Sequence, residues 1–282
     1  MIAKLSKENR DKMGLRAVSR KQLYEPCYDM NIGEYSDVGL EIDRLQFCRE
    51  KRQVLNIPHL KIPKGAIVAV IGENGAGKST LSLCLTGLLK HAGTIRIDDE
   101  KILNKKLPEQ TYLVMQEAGH QLFSDTVLGE LTLNKQTVTE VQAEEILDKL
   151  GLNGMKNRHP GSLSGGQQQR LSLGIALCSN RRLMLYDEPT SGQDGENLRR
   201  TAAMICKANK QAICTLIVTH DPELILRCAT HILHIHAGEV KYFMPFDKRG
   251  VNYMKKVFEE DTQTKNRYAT FAGICGTASS VA

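Results

Sequence analysis

The most informative segment of this 282-residue sequence is Gly72-Glu73-Asn74-Gly75-Ala76-Gly77-Lys78-Ser79. It follows the continuous apolar run Ala66–Ile71, which predicts a buried strand, and it precedes a predicted helix over residues 79–89. The spacing of its glycines before Lys and Ser fits the GxxxxGK[ST] pattern of a phosphate-binding loop. A strand before the loop and a helix after it are the context that this pattern requires.

The residue types in this loop are those that phosphate binding needs. Glycines let backbone N–H groups converge on phosphate oxygens without a clash from Cβ, and the following helix turns its positive end toward the same anion. We expect Lys78 to neutralise the β- and γ-phosphates of a nucleotide and the Ser79 hydroxyl to ligate Mg²⁺. The loop residues predicted to bind nucleotide are Gly72, Asn74, Gly75, Gly77, Lys78, Ser79 and Thr80.

Two carboxylates follow another apolar run. Residues 183–186 read Leu-Met-Leu-Tyr, which predicts a buried strand, and Asp187 and Glu188 come directly after it. Ligands of such sheets bind at the carboxyl ends of the strands, so both carboxylates are predicted to lie beside the phosphates. We expect Asp187 to hold Mg²⁺ through water and Glu188 to polarise the water that attacks the γ-phosphate.

A second anion site is predicted where Leu163-Ser164-Gly165-Gly166-Gln167-Gln168-Gln169-Arg170 opens a helix. Two phosphate sites in one chain suggest that two chains share each nucleotide. Here the sequence resembles the ATP-binding-cassette (ABC) family, whose LSGGQ signature it matches residue for residue. The resemblance implies that one subunit's signature caps the ATP held by the phosphate-binding loop (P-loop) of a second cassette, through Ser164, Gly165, Gly166 and Gln167.

Further motifs of the ABC family follow in order. Gln116 resembles the Q-loop glutamine, which contacts the metal and senses the γ-phosphate. Ser191-Gly192-Gln193-Asp194 resembles the D-loop, with Asp194 as its acid, and His220 resembles the switch histidine that would orient Glu188. The resemblance therefore implies ATP and Mg²⁺ as cofactors. It also implies Glu188, His220 and Gln116 as catalytic residues, and Ser79, Gln116 and Asp187 as metal ligands.

One position departs from the family pattern. ABC proteins usually stack adenine on an aromatic residue two positions after the Phe of the first strand. In Phe47-Cys48-Arg49 that position holds Arg49. A guanidinium can also stack on a base, so we expect Arg49 to contact the base with little selectivity between purines.

Strands that alternate with helices predict an α/β fold around a mainly parallel sheet. The resemblance adds a P-loop NTPase core, an N-terminal antiparallel β subdomain and a small α-helical subdomain at about residues 117–180. We expect a basic linker or tail over residues 1–37 and the nucleotide-binding domain over residues 38–245. A partly disordered C-terminal extension is expected over residues 246–282.

Apolar patterns predict the single elements. Strands are expected over Val38–Phe47 and Val54–Leu60. A helix over Val141–Leu150 is expected to bury one face, which carries Val141, Ile146, Leu147 and Leu150. His231, His234 and His236 are expected on an edge strand that turns into a hairpin, an interpretation favoured over a metal site.

Composition limits the classes of protein. The longest apolar runs have the length of a strand, whereas a membrane-spanning helix needs about 20 apolar residues. The eight cysteines form no CxxC pair, which argues against a zinc site and a disulfide framework. The net charge of +6 comes largely from the N-terminal tail. We expect a cytoplasmic protein, held peripherally on the inner face of the cell membrane by a partner.

The segment after Gln116 indicates which kind of cassette this is. Residues 117–127 resemble the corresponding segment of energy-coupling-factor (ECF) ATPases, which power uptake of vitamins and transition-metal ions. The resemblance implies an integral membrane coupling subunit that docks near Gln121, Leu122 and Phe123, besides a second cassette in a homo- or heterodimer. No nucleic-acid partner is expected.

Three alternatives stay open at this point. The chain could be the ATPase of another class of ABC importer, or a soluble ABC ATPase that acts on ribosomes or nucleic acid. It could also be a cassette that binds ATP without hydrolysing it, although the intact Glu188 and His220 argue against that. The basic stretch Asp11–Arg16 resembles the linker between two cassettes of one polypeptide, so the chain could match the second half of such a protein.

Overall fold

The structure is a computed structural model that describes residues 37–133, 138–210 and 212–259. Residues 1–36 of the expected tail and residues 260–282 of the expected C-terminal extension lie outside the described residues. Among the helices of the described part, none combines the length and the apolar character that crossing a lipid bilayer requires.

The first sheet is antiparallel and has the strand order β2-β1-β4-β5. Its long hairpin turns at Glu50 and Lys51, whose φ angles of 49° and 65° are those of a tight two-residue turn. Pairing continues to Arg49 opposite Arg52, so both hairpin strands are longer than predicted. The strands are β1 Val38–Arg49, β2 Arg52–Pro63, β4 Ala92–Ile97 and β5 Glu100–Ile102.

The second sheet has the order β10-β9-β3-β8-β7-β6. All its neighbouring strands run parallel except β10, which pairs antiparallel with β9. This confirms the predicted mainly parallel sheet, and the complete burial of the apolar runs in β3 and β8 shows that both faces are covered. The strands are β3 Ile67–Ile71, β6 Thr111–Val114, β7 Leu183–Asp187, β8 Cys214–Val218, β9 His231–His236 and β10 Glu239–Pro245.

Helices cover the parallel sheet and form a separate cluster. Between the P-loop and β7, α3, α4 and α5 pack around Leu131, Leu147 and Leu171. The helices are α1 Lys78–Leu85, α2 Leu107–Gln110, α3 Val127–Thr132, α4 Glu140–Leu150, α5 Gly165–Cys178, α6 Gly195–Asn209, α7 Pro222–Cys228 and α8, over residues 248–259.

Two sequence expectations are wrong. Val141 is 70% exposed, because the buried face of α4 is centred on Ala143, Leu147 and Leu150, which follow each other at helical spacing. The histidines of β9 do not lie on an edge strand, since β9 pairs with both β3 and β10. His231 and His234 are accordingly buried.

The packed core continues past residue 245, where the nucleotide-binding domain was expected to end. Phe246 and, from α8, Met254 and Val257 are buried in a cluster with β3, α7 and β9. Helix α8 therefore covers one face of the parallel sheet beside the strand that precedes the P-loop.

Candidate nucleotide-binding and hydrolysis site

A cleft of about 620 Å³ opens at the carboxyl ends of β3, β7 and β8. These strands are parallel, so the loops that follow them meet at one edge of the sheet. The cleft brings together most residues that the sequence predicted for the site. Its lining is Asn74, Gly75, Gly77, Lys78, Ser79, Thr80, Gln116, Asp187, Glu188, Ser191, Val218 and His220.

The P-loop needs its glycines for space as well as for backbone conformation. A Cβ on Gly72 would lie 2.1 Å from the carbonyl oxygen of Ile235, and Gly72 has a φ of +143°. Gly77, which precedes α1, has a φ of +104°, and a Cβ at this position would lie 2.8 Å from Leu55 Cδ2. The N–H of Gly238 donates to the Ala76 carbonyl at 2.9 Å, so β9 and the following turn support the loop from behind.

Lys78 is 7% exposed, and its ammonium group lies inside the curve of the P-loop. Its Nζ donates to the carbonyl oxygens of Gly72 and Glu73 at 2.7 Å and 2.8 Å. Burial raises the pKa of both Asp187 and Glu188, and the positive charge of Lys78 opposes this rise. A buried cation at this place favours anions in the cleft.

Ser79 and Asp187 line the same cleft. Burial raises the pKa of Asp187, while a hydrogen bond from Ser79 and the charge of Lys78 act in the opposite direction. Gln116 lines the same cleft. The donor set of hydroxyl, carboxylate and amide oxygens fits Mg²⁺, which prefers hard oxygen ligands.

Glu188 adopts a strained backbone conformation, with a φ of 47°. Its Oε1 lies 3.8 Å from His220 Nε2, and Thr219 Oγ1 donates to Oε2 at 3.5 Å. Burial raises the pKa of the Glu188 carboxyl, and the charge of Asp187 adds to this. A raised pKa makes the carboxylate a better proton acceptor. Thr219 was missed from the sequence, although its place between a buried strand and His220 was a usable signal.

The signature lies in a different cleft of the same chain. Gly165 and Gly166 line a groove of about 560 Å³, which shares Gln116 and Ser191 with the first cleft. Ser164 caps α5 in a capping box: its N–H donates to Gln167 Oε1 at 2.8 Å, and its side chain accepts from Gln167 N. The sequence motif suggested no role for Ser191, which lines both clefts.

Five predicted nucleotide contacts are not among the residues that line either cleft: Gly72, Arg49, Ser164, Gln167 and Asp194. Arg49 is exposed at the end of β1. Asp194 caps α6, where its Oδ1 accepts from the N–H of Asn197 at 2.8 Å. Their roles toward a nucleotide stay predictions.

The expected docking segment divides into anchored and exposed residues. The Gln121 amide is tied to β6: its Oε1 accepts from Met115 N at 2.9 Å and its Nε2 donates to Leu113 O at 2.7 Å. Leu122 packs against the core of the helical cluster. Of these three residues, only Phe123 is exposed, with 82% of its surface accessible.

Comparison with known proteins decides the family. The family model described as ABC transporter matches residues 55–191. The chain is similar to the arginine transport ATP-binding protein ArtM of Bacillus subtilis, with 32% identity over 241 residues, 77% of this chain and 99% of that protein. The chain belongs to the ABC transporter family of ATPases. It is also similar to the energy-coupling factor transporter ATP-binding protein EcfA of Methanothermobacter thermautotrophicus, with 34% identity over 64% of this chain and 62% of that protein.

Two solved cassettes have the same fold at 25% identity. One is cbiO1 from Clostridium perfringens, part of the ABC transporter complex cbiONQ, with a TM-score of 0.64 over 82% of this chain and 94% of that one. The other is MJ0796, dimeric and bound to ADP and Pi, with a TM-score of 0.63 over 74% and 99%. The chain spans only 36% to 43% of the length of three further relatives, including a Treponema denticola protein that is 38% identical over 62% of this chain.

Proposed function

We propose that this cassette hydrolyses Mg·ATP in a head-to-tail dimer with a second cassette and powers an ECF-type importer of vitamins or transition-metal ions. The observation that carries the hydrolysis is one cleft that holds Lys78, Ser79, Asp187 and Glu188, with His220 beside Glu188. Similarity to EcfA and to cbiO1 supports the ECF type.

In this proposal the P-loop holds the phosphates of ATP. Lys78 moves its hydrogen bonds from the loop carbonyls to the β- and γ-phosphate oxygens, and α1 directs its N-terminal N–H groups toward them. Ser79, Asp187 and Gln116 hold Mg²⁺, which when bound neutralises the developing charge on the phosphates.

Glu188 acts on the attacking water. Its carboxylate accepts the water proton while the oxygen bonds to the γ-phosphorus, and the bond to ADP breaks to release phosphate. His220 and Thr219 lie against the two carboxylate oxygens of Glu188 and orient it. Because burial raises the pKa of the Glu188 carboxyl, turnover should fall as the pH drops through this raised pKa and the carboxylate becomes protonated.

The proposed dimer is supported by the place of the signature glycines, which line a second groove and not the nucleotide cleft. Gly165 and Gly166 line this second groove, and Ser164 beside them is exposed, so all three can reach the phosphates of a nucleotide on another chain. The test mixes Ser164→Arg chains with Lys78→Ala chains. Each variant disrupts both ATP sites of its own homodimer, whereas a mixed dimer has one intact ATP site. We expect each variant alone to be inactive and the mixture to recover part of the activity; a mixture that stays inactive would contradict a shared site.

The membrane partner is proposed to bind at Phe123. Its neighbours are held inward: Gln121 bonds to β6, Leu122 packs in the helical cluster, and Ser124 N donates to the buried Glu130 carboxylate at 2.6 Å. This arrangement leaves one apolar side chain to insert into a groove of a partner.

Changing Phe123 to Ser tests this contact without removing a core residue. The variant should keep basal ATPase activity and lose copurification with the membrane coupling subunit, because one buried aromatic anchor carries much of a small interface. Leu133→Ser is the matched control, since Leu133 is 64% exposed at the end of α3. Equal copurification of Phe123→Ser and the unchanged protein would refute the assignment.

A second candidate is the ATPase of another importer class, such as one for amino acids. It is favoured by the similarity to ArtM, which this chain covers almost completely. Purification of the assembled transporter distinguishes the candidates: a separate small substrate-binding membrane protein supports the ECF type, and its absence from an active transporter supports the other class.

A further inference from the structure

Helix α8 contacts the catalytic edge of the sheet and lies outside the part of the chain that the family model matches. The Phe258 ring lies beside the His220 ring, with centroids 6.4 Å apart and an angle of 44° between the planes. This is within the range of favourable aromatic pairs. His220 is in turn the residue whose Nε2 faces Glu188.

Helix α8 is held firmly enough to fix the place of Phe258. Met254 and Val257 are buried against β3, α7 and β9. Tyr253 Oη lies 2.6 Å from Nδ1 of the buried His234, which pairs in the sheet with Ile71, the last residue before the P-loop. The helix is therefore tied to the same strands that carry the P-loop.

The loop that carries His220 needs such support. His220 follows β8 and precedes Asp221, the N-cap of α7, so it lies in a short connection between two elements. Thr219 is fully buried, whereas the side chain of His220 keeps 30% of its surface exposed. Phe258 is partly buried, and its ring contacts the His220 ring.

We propose that Phe258 is a positioning residue for ATP hydrolysis: its ring holds the His220 imidazole in the orientation from which it reaches the Glu188 carboxylate. The proposal rests on the function proposed for His220 above. Phe258 itself does not line the nucleotide cleft, so its loss should change the rate of hydrolysis and leave ATP binding unchanged.

The test compares three variants of the full chain with the unchanged protein by steady-state ATPase kinetics. Phe258→Leu keeps apolar volume but removes the ring, and it should lower kcat about two- to tenfold at unchanged KM. Phe258→Tyr keeps the ring and should restore kcat. Val257→Ala is the matched control: it should lower the unfolding temperature and leave kcat unchanged. Equal losses of kcat in Phe258→Leu and Val257→Ala would overturn the proposal.

A double-mutant cycle separates this inference from the proposed function. If Phe258 acts through His220, adding Phe258→Leu to His220→Ala should cause no further loss of single-turnover rate. Multiplied losses would overturn the positioning role alone. A His220→Ala variant with the unchanged rate would overturn the role of His220 itself, and the inference with it.

Discussion

Replacing Gly72 by Ala should unfold the P-loop region, whereas the same change at Gly75 should be tolerated. Gly72 has a φ of +143°, and its new Cβ would lie 2.1 Å from the carbonyl oxygen of Ile235. Gly75 has a φ of +82°, and a Cβ there would meet no atom within 4 Å. The two substitutions thus share a positive φ and differ in steric overlap.

The expected losses of free energy of unfolding follow from the backbone strain and the steric overlap at each position. An alanine with a positive φ costs about 1 kcal/mol in the left-handed region and up to about 3 kcal/mol in conformations that only glycine adopts. The overlap at Gly72 is with backbone, so β9 must move away from β3, which adds about 1–3 kcal/mol. We expect Gly72→Ala to lower the free energy of unfolding by about 3–5 kcal/mol and Gly75→Ala by about 1 kcal/mol.

Urea unfolding followed by circular dichroism measures both values, with the unchanged protein as reference. If the free energies of unfolding of the Gly72→Ala and Gly75→Ala variants differ by less than about 1 kcal/mol, the argument from close packing between the P-loop and β9 is refuted. Binding of a fluorescent ATP analogue should follow the same order, because the distorted loop can no longer direct its N–H groups at one phosphate.

Three further predictions concern catalysis, base selectivity and pH. Glu188→Gln should lower turnover on the order of 100-fold or more and keep ATP affinity, as rapid-quench and binding assays would reveal. If Arg49 is what stacks on the base, affinities for ATP and GTP should agree within about tenfold in competition binding, and a hundredfold preference for ATP would point to another group. Burial lowers the pKa of His231 and His234 to about 4, so both stay neutral in the fold while the unfolded chain binds protons below about pH 6.5. The free energy of unfolding should therefore fall from pH 6.5 to 4, by up to about 1.4 kcal/mol per pH unit for each histidine; Gln at either position should flatten this slope, and an unchanged slope would contradict the argument.

The positions of the catalytic residues along the chain could be predicted from the sequence. The apolar runs before Asp187 and His220 became the parallel strands β7 and β8, which place Asp187 at the end of β7 and His220 after β8 at the catalytic edge. Such runs are local patterns, and parallel strands must bring their carboxyl ends to one side. The site was therefore readable without knowledge of the strand order.

Burial in single elements was harder to predict because it depends on distant partners. The run His231–Ile235 has the same pattern on an edge strand as in the interior, and only the pairing with β3, which lies far away in the sequence, decides between them. In α8, Met254, Val257 and Phe258 have helical spacing that was a usable signal. The charged residues between them concealed it, and so the contact with His220 was missed.

Burial also could not be predicted from the sequence for the adjacent apolar residues Leu122 and Phe123 of the proposed partner surface. As a sequence they form one apolar pair, and both were assigned to docking. In the fold the Gln121 amide and the Ser124 N–H are bonded to β6 and to Glu130, which directs Leu122 into the helical cluster and Phe123 outward. A polar residue at position 122 would therefore cost stability of the helical cluster, whereas one at position 123 would not. Only the change at Phe123 can separate the loss of a partner from the loss of the fold.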